Sequence, residues 1–180
     1  MAPICKKISK PTEHKPGLSP DGKWQAEVNN YNLYLRNTST RHQIQLTTDG
    51  RKDWTSATPL PNSRLMVEQR TENVKQPPTV FWSPDSKRLV TYRIDSRHAG
   101  RFVITQHAPP FRRAEAAVTA SSTPMPGEKL STAAPIILDI STRKRTPVQM
   151  EPLEMFFQDG PSFRWLTTTR ISSSATPPGL

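Results

Sequence analysis

A short turn motif, Ser-Pro-Asp-x-Lys, occurs twice in the chain and constrains its fold more than any other feature. The copies are Ser19-Pro20-Asp21-Gly22-Lys23 and Ser83-Pro84-Asp85-Ser86-Lys87. Proline presets φ for the first corner of a tight turn, and aspartate hydrogen-bonds the backbone two residues further on. Each copy leads directly into a strand-like run. Two such units in one chain predict a repeat architecture built from short strands.

Alternation of apolar and polar residues surrounds each motif, which is the pattern of half-buried strands. The predicted strands are 24–28, 31–35, 43–47, 64–68, 79–82, 89–94, 101–105, 135–140 and 161–166. The last of them is followed by Thr167-Thr168-Thr169, where a third turn motif would stand. Because short polar turns join most of these runs, the sequence predicts antiparallel meanders and an all-β fold.

Composition supports this fold class and weakens a nucleic-acid function. Hydrophobic residues make up 33% of the 180 residues and there are 19 prolines, which favours a loop-rich β protein over a helical one. The net charge is +10, yet the basic residues are scattered and the one tight run is Arg143-Lys144-Arg145. We interpret that run as a solvated turn between strands, with a phosphate-binding patch as the alternative. No aromatic residues are interleaved with it to stack on bases, so no nucleic-acid partner is expected.

The sequence offers no pattern for a metal, a cofactor or a membrane span. Cys5 is the only cysteine, so neither an intrachain disulfide nor a cysteine-based zinc site is expected. The histidines lack the i, i+4 spacing with a carboxylate that helical metal sites use. They are His14, His42, His98 and His107. No apolar run approaches membrane-spanning length, and residues 1–17 lack the apolar stretch of a secretory signal.

The conspicuous polar and aromatic residues are expected to have structural roles. Ser19 and Ser83 are interpreted as turn formers, because a hydroxyl in such a turn bonds the local backbone. Asp21 and Asp85 occupy equivalent places in two repeats, which a single catalytic acid would not require. The candidate platforms for stacking a ligand are Trp24, Trp54, Trp82 and Trp165. Two of these tryptophans stand at strand entries, at positions 82 and 165, so we expect them to pack in the core.

The chain is predicted to consist of one repeat domain with two tails. Residues 1–17 read as an N-terminal tail, residues 18–170 as the domain and residues 171–180 as a disordered C-terminal tail. Residues 111–123 are rich in alanine, serine and threonine without strand alternation. They are interpreted as an irregular insert or an altered patch that forms a short helix or a loop.

The order of these motifs resembles the N-terminal β-propeller of the dipeptidyl peptidase IV branch of the prolyl oligopeptidase family. The segments that carry the resemblance are 18–24, 32–35, 45–50, 81–95, 106–110, 124–128 and 138–140. The resemblance covers roughly residues 18–170 and implies a partial β-propeller of two to three blades, each a four-stranded antiparallel meander. An incomplete ring leaves a terminal blade face uncovered, so we expect marginal stability unless partner chains complete the ring.

The resemblance also implies a role in proteolysis without chemistry of its own. In the family, the propeller gates and positions peptide substrates, and an α/β-hydrolase domain carries the catalytic Ser, Asp and His. The implied partners are therefore a peptide substrate, the missing blades and the hydrolase domain. The nucleophile elbow Gly-x-Ser-x-Gly is absent, because Gly160-Pro161-Ser162-Phe163-Arg164 lacks the second glycine. We therefore expect a truncated, non-catalytic propeller portion of a serine peptidase, with no catalytic residue in this chain.

The substrate-binding residues are not specified by the sequence. In characterised relatives, a glutamate pair that holds the substrate amine follows an Asp-Trp segment, whereas here Asp53-Trp54 is followed by Thr55-Ser56-Ala57-Thr58. The remaining acidic candidates are Asp53, Glu68 and Glu72, and for each a solvated surface role is favoured. The alternative functions are a stand-alone propeller-like module that binds peptides or proteins and, third, a basic nucleic-acid-associated protein. Relatives of this kind are often periplasmic or secreted, but the sequence itself indicates no compartment.

Overall fold

The computed structural model describes residues 16–60, 63–69, 76–106, 117–121, 124–155, 160–166 and 170–174. Within these ranges the chain is mostly β, with antiparallel sheets and one helix of seven residues. The elements are β1 Trp24–Asn29, β2 Asn32–Asn37, β3 Gln43–Gln45, β4 Trp54–Ser56, α1 Ser63–Gln69, β5 Phe81–Trp82, β6 Arg88–Asp95, β7 Phe102–Gln106, β8 Ala117–Ser121, β9 Ser131–Asp139, β10 Arg145–Pro147, β11 Leu153–Met155, β12 Ser162–Trp165 and β13 Ile171–Ser174. The helix in the described ranges is too short to cross a membrane.

Sheet one is the antiparallel meander β1-β2-β3. Its first hairpin turns through Asn30 and Tyr31, whose φ values of 45° and 65° match the two-residue turns that suit the twist of paired strands. The segment before β1 adds a short further edge, because Leu18 bridges Gln25 and the Ala26 N–H donates to the Gly17 carbonyl at 2.8 Å. Sheet one therefore has four strand positions, the first of them only a few residues long.

Sheet two is larger, and its six strands also fill four positions. β6 and β9 pair along eight residues at the centre, with β4 and β5 end to end beside β6, and β10 and β11 end to end beside β9. The break between β4 and β5 begins at Ala57, which has a φ of 58° and donates its N–H to Tyr92. The chain returns at Thr79, whose N–H donates to the Ala57 carbonyl at 2.8 Å. β4 and β5 therefore occupy one strand position beside β6, and residues 58–78 lead away from it and back.

The break between β10 and β11 lies opposite a proline in the central strand. Pro147 pairs with Ile136 and Leu153 pairs with Ala133, so Pro135 faces the gap between the two short strands. Proline has no N–H to give to a neighbouring strand and is normally confined to sheet edges or bulges. Here its carbonyl still accepts from Val148 at 3.1 Å. The bulge at 148–152 thus lets a buried central strand contain a proline.

Two further hairpins complete the structure. β12 pairs with β13, and β7 pairs with β8. The β12–β13 hairpin packs on sheet two, where Phe81 and Phe163 meet edge to face with ring centroids 5.5 Å apart. The β7–β8 hairpin is inserted between β6 and β9, and β8 lies near α1.

The two turn motifs have the same hydrogen-bonded geometry, which confirms their sequence-based interpretation. In the first, Ser19 Oγ donates to Asp21 Oδ1 at 2.6 Å and accepts from the Trp24 N–H at 2.9 Å. In the second, Ser83 Oγ donates to Asp85 Oδ1 at 2.6 Å and accepts from an N–H at 2.9 Å, that of Arg88. The hydrogen bond from Ser83 and then that from the Lys87 N–H lower the pKa of Asp85. The serines are buried and the aspartates close their own turns, so these residues are structural.

The sheets stack face to face, with sheet two in the middle. One face of sheet two meets sheet one in a core of Ala26, Leu33, Leu35, Ile44, Leu46, Ala57, Leu89, Ile136 and Leu138. The other face meets the β12–β13 hairpin in a core of Leu60, Val90, Tyr92, Ile94, Ala133, Met155 and Phe163. The central strand β6 consequently has six consecutive buried residues, from Leu89 to Ile94.

The same indole hydrogen bond joins each unit to the one before it. Trp82 donates its indole N–H to the Gly17 carbonyl at 3.2 Å, and Trp165 donates to the Phe81 carbonyl at 2.9 Å. Gly17 and Phe81 each lie two residues before the serine of a turn motif, so the two acceptors are equivalent. Trp82 borders the first core and Trp165 the second, which confirms that these two tryptophans pack in the core.

One strand prediction was wrong, and another was confirmed with a partner that the sequence did not specify. Residues 64–68 form part of α1, in which Arg64 Nε donates to Glu68 Oε1 at 2.7 Å one helical turn away. Residues 101–105 do contribute a strand, but β7 pairs with β8 instead of continuing the meander of β6. Alternation along a strand reports which residues are buried and carries no information about the partner strand.

Two regions in which no strand was predicted contain strands. Ala117–Ser121 forms β8 within 111–123, the rest of which lies outside the described residues. Ile171–Ser174 forms β13 within the predicted tail 171–180, and residues 175–180 also lie outside the described part. In both cases the strand pairs with a neighbouring strand in a hairpin, a pairing that sequences rich in alanine and serine do not predict by themselves.

Ser83→Ala is expected to destabilise the fold by about 1–3 kcal/mol, because it leaves the partly buried Arg88 N–H and Asp85 without their shared hydroxyl partner. Urea unfolding followed by circular dichroism would measure the loss. Ser39→Ala, in the exposed turn after β2, is the matched control and should change stability little. Equal losses in the two variants would contradict a structural role for the motif serine.

Candidate functional site: the Trp54 cluster

The end of sheet two at β4 and β6 carries the densest group of charged side chains among the described residues. In the antiparallel register Trp54 lies opposite Asp95 and Ser56 opposite Arg93, so these four residues share one face of the sheet. This is the face that packs on sheet one. We define the Trp54 cluster as Trp54, Arg93, Arg97, Arg101 and Arg145 with Asp49, Asp53 and Asp95.

Arg93 is the buried centre of the cluster. Its side chain is 8% exposed, and its two terminal nitrogens donate to the Asp49 carboxylate at 2.6 and 2.7 Å. Arg145 Nη1 reaches both oxygens of the same carboxylate at 3.0 Å. The hydrogen bonds from Arg93, and then those from Arg145, hold the pKa of Asp49 well below its ordinary value. Asp49 follows sheet one, whereas both arginines belong to sheet two, so one carboxylate ties the two sheets together.

The Trp54 ring contacts two guanidinium groups. Arg97 Cζ lies 4.3 Å and Arg93 Cζ 5.1 Å from the ring centroid. Such contacts are worth about 0.5–1 kcal/mol when exposed and up to about 2 kcal/mol when desolvated. Arg97 is fixed by two hydrogen bonds to Asp95 at 2.7 and 2.9 Å, and these lower the pKa of that carboxyl. The Trp54 ring on β4 therefore packs against one guanidinium group from β6 and one from the loop that follows β6.

Asp53 completes the cluster at the turn before β4. Its φ is 62°, its carbonyl accepts from the Ser96 N–H at 2.8 Å, and its carboxylate pairs with Arg101. Ser96 Oγ in turn lies 2.9 Å from Ser131 Oγ, and both serines are buried. The turn at Asp53 and the loop after β6 are thus hydrogen-bonded to each other.

The chemistry of the cluster suits binding rather than catalysis. Four guanidinium groups face three carboxylates, and each carboxylate already accepts from an arginine. A protonated amine would therefore meet positively charged guanidinium groups and carboxylates that already accept hydrogen bonds from arginine. A carboxylate or a peptide carbonyl would instead meet hydrogen-bond donors. In the described part of the chain no group of three or more His, Cys, Asp or Glu residues could hold a metal ion.

The acidic residues singled out from the sequence are not gathered into one site. Asp53 pairs with Arg101, Glu68 is exposed on α1 beside Arg64, and Glu72 lies outside the described residues. Ser162 lies within strand β12, not at the strand-to-helix turn that a nucleophile elbow requires. Of the histidines, His42 and His98 are exposed, and positions 14 and 107 are not described.

Arg93, the central residue of the cluster, was not predicted as a site residue, although the sequence contains a signal for it. Arg93 is the one charged residue between Leu89 and Ile94 in a strand with apolar residues on both faces, and a charged residue in such a strand needs a partner. The partner, Asp49, comes from a different sheet 44 residues earlier, so spacing along the chain could not identify it.

Comparisons with known proteins agree with an antiparallel β protein made of stacked sheets. A dipeptidyl peptidase 4 from Porphyromonas gingivalis matches 78% of this chain at 20% identity with a TM-score of 0.58. A Bacteroides ovatus protein assigned as a dipeptidyl aminopeptidase IV matches 81% at 15% identity with a TM-score of 0.52. The matches cover 19% and 17% of those two chains, so this chain spans less than a fifth of either. Among individually curated proteins, none matches significantly.

The sequence itself gives the family. Residues 2–172 match the family described as the dipeptidyl peptidase IV (DPP IV) N-terminal region. The chain belongs to this family, and its fold corresponds to part of the DPP IV propeller region. The resemblance inferred from the turn motifs is thereby confirmed.

Asp49→Asn is expected to lower stability by about 1–3 kcal/mol, because buried Arg93 loses its charged partner while solvent screens the half-exposed carboxylate. Because the folded pKa of Asp49 is depressed, its contribution is present above the unfolded pKa near 3.8 and is lost as pH falls through the folded value. Urea unfolding at neutral pH and at pH values below 3.8 would measure this. Glu68→Gln, in an exposed pair on α1, is the control and should have little effect at either pH. A mutant as stable as the parent would contradict the role given to Asp49.

Proposed function

We propose that the stacked units are successive blades of a partial β-propeller with residues 18–170 as its span; Gly17, assigned to the tail from the sequence, pairs with Ala26 and belongs to the first sheet as well. Two sheets with four strand positions each, and a hairpin that packs on the second sheet, support this arrangement. The equivalent indole hydrogen bonds of Trp82 and Trp165 support it further, because they repeat one contact between each unit and the next.

The function that fits best is the gating and positioning of peptide substrates as the non-catalytic portion of a dipeptidyl peptidase IV-like peptidase. The family match over residues 2–172 is the observation that carries this proposal. In it the chain performs no bond cleavage, and an α/β-hydrolase domain supplies the catalytic residues.

The Trp54 cluster is the surface that we assign to peptide positioning. Asp53-Trp54 occupies the place after which characterised relatives carry an acidic pair, and here Thr55-Ser56-Ala57 follows instead. The acids of the cluster are bound to arginines, so peptide carbonyl and carboxylate groups are its best-matched ligands. Positioning would then rely on guanidinium donors and on the Trp54 ring.

A stand-alone module that binds peptides or proteins is the second candidate. The outer face of sheet one favours it, because Gln25, Glu27 and Arg36 lie where another blade would have to pack. In that case the same Trp54 cluster would bind a peptide without a catalytic partner.

Both candidates predict peptide binding without turnover. The purified chain should release no chromophore from Gly-Pro-p-nitroanilide, since the described residues contain no nucleophile elbow. A proline-containing peptide with a free carboxylate should change the intrinsic fluorescence through Trp54. Trp54→Phe should abolish that change, whereas Trp24→Phe, in the first core, should retain it. Turnover would refute the non-catalytic role, and a fluorescence change that persists in Trp54→Phe would remove the cluster as the peptide surface.

A further inference from the structure

Four turns of sheets one and two lie together at one edge of the stack, and we define them as the basic edge. They are residues 19–23, 37–42, 83–88 and 139–144. In sheet one, the Thr38 N–H donates to the Lys23 carbonyl at 2.9 Å. Between the two sheets, the Asp21 N–H donates to Ser86 Oγ at 3.1 Å. The edge is therefore continuous from one sheet to the next.

The second and fourth of these turns have the same geometry in the two sheets. The Asn37 N–H donates to the His42 carbonyl at 2.8 Å, and the Asp139 N–H donates to the Lys144 carbonyl at 3.0 Å. The turn of sheet two is also tied to its own motif, because the Ile140 N–H donates to a motif carbonyl at 3.0 Å. The two sheets thus present equivalent turn positions along this edge.

An arginine occupies the left-handed position of each of these two turns. Arg41 has a φ of 62° and Arg143 a φ of 56°. The left-handed region suits glycine, whereas a residue with a side chain is less stable in it. Backbone conformations of this kind are common at functional sites. Both sheets therefore carry an arginine at a position where glycine would be less strained.

The basic edge carries twice as many cations as carboxylates. The cations are Lys23, Arg41, Lys87, Arg88, Arg143 and Lys144, and the carboxylates are Asp21, Asp85 and Asp139. Four of the cations, at positions 41, 87, 143 and 144, are exposed and make no side-chain hydrogen bond or ion pair with the described residues. These four are available to a partner.

The three carboxylates are held within their own turns. Asp21 and Asp85 each accept from a motif serine at 2.6 Å. Asp139 Oδ1 accepts from the Thr142 N–H at 2.9 Å and from the Ser141 hydroxyl at 2.7 Å, and these hydrogen bonds lower the pKa of Asp139. The carboxylates therefore stay ionised at fixed positions between the cations, and the edge keeps an excess of positive charge.

We propose that the basic edge is a docking surface for an acidic segment of a partner polypeptide, rich in Asp and Glu. Exposed guanidinium groups bind carboxylates through paired hydrogen bonds, and exposed ammonium groups attract them as point charges. Strand β6 begins at this edge with Arg88 and ends in the Trp54 cluster with Asp95. The docking surface is thus distinct from the cluster and does not depend on the proposed role in peptide positioning.

The composition of the four turns favours a polypeptide over a nucleic acid or a membrane. They contain no Phe, Trp or Tyr that could stack on a base, and apart from proline their one apolar side chain, Ile140, borders the first core. A surface of closely spaced phosphates would also meet the fixed carboxylates, which repel it. A polypeptide avoids this repulsion by placing neutral or basic residues opposite those positions.

Fluorescence anisotropy of a labelled oligoglutamate peptide, titrated with the complete chain at low ionic strength, tests the proposal. The double variant Arg41→Gly with Arg143→Gly should weaken binding by about tenfold or more, because it removes two guanidinium groups. Its urea midpoint should not fall, since glycine suits the left-handed backbone at both positions. A loss of affinity without a loss of stability separates a binding role from a structural one.

A second variant and a matched control accompany the first. Lys87→Gln with Lys144→Gln leaves both left-handed positions unchanged and should also weaken binding by about tenfold. Lys129→Gln with Arg164→Gln removes the same charge from exposed positions outside the basic edge. Because distant exposed charges are screened, this control should change the affinity by less than about twofold.

Duplex DNA and phosphatidylserine vesicles are measured in parallel. Their binding responds to the net charge of the chain, so the edge variants and the control should weaken it equally. For the oligoglutamate peptide, only the edge variants should have an effect.

Three results would overturn the proposal. Oligoglutamate that does not bind, or that binds the Arg41→Gly, Arg143→Gly variant as tightly as the parent, would remove the basic edge as the docking surface. An equal loss of peptide affinity in the control would mean that net charge alone attracts the peptide. DNA or vesicle binding that depends on the edge, while peptide binding does not, would assign the edge to a phosphate-bearing partner.

Discussion

The burial of sheet two on both faces is the constraint on which the rest of the structure depends. Its central strand β6 places alternate residues in two different cores, with Leu89 in one and Val90 in the other. Each such side chain contributes about 1.5–3 kcal/mol on burial, and it does so only if a neighbouring layer excludes water from it. Sheet one and the β12–β13 hairpin are those layers. Neither is optional, because removing either one would expose a complete face of the middle sheet.

Arg93 is the exception that this arrangement has to accommodate. It occupies the same buried strand, and its charge is tolerated because Asp49 reaches it from the loop after sheet one and Trp54 lies against its guanidinium group. A charged side chain buried without a partner costs several kcal/mol. The correct placement of sheet one therefore fixes the Trp54 cluster as well as the core. Assembly of the candidate binding surface and packing of the two sheets are a single event.

The sequence predicted what depends on local chemistry and failed where pairing is long-range. The turn motifs at Ser19 and Ser83 specify their geometry within six residues, so the strands that follow both motifs and the strand that precedes Ser83 were placed correctly. The excursion that contains α1 starts at Ala57, where a left-handed backbone conformation interrupts a strand. Pro59 and Pro61 follow closely, but they do not indicate where the chain returns to the same strand position. The pairing of β7 with β8, and that of Arg93 with Asp49, join residues that no local pattern connects.

The distribution of apolar residues along the strands, however, does indicate which layer lies in the middle of the stack. β1 alternates strictly between apolar and polar residues, as expected for a strand with one face in a core, whereas β6 has apolar residues on both faces, with Leu89 in the first core and Val90, Tyr92 and Ile94 in the second. The alternation of β1 thus predicts a layer with one buried face, and the pattern of β6 predicts a layer that lies between two others.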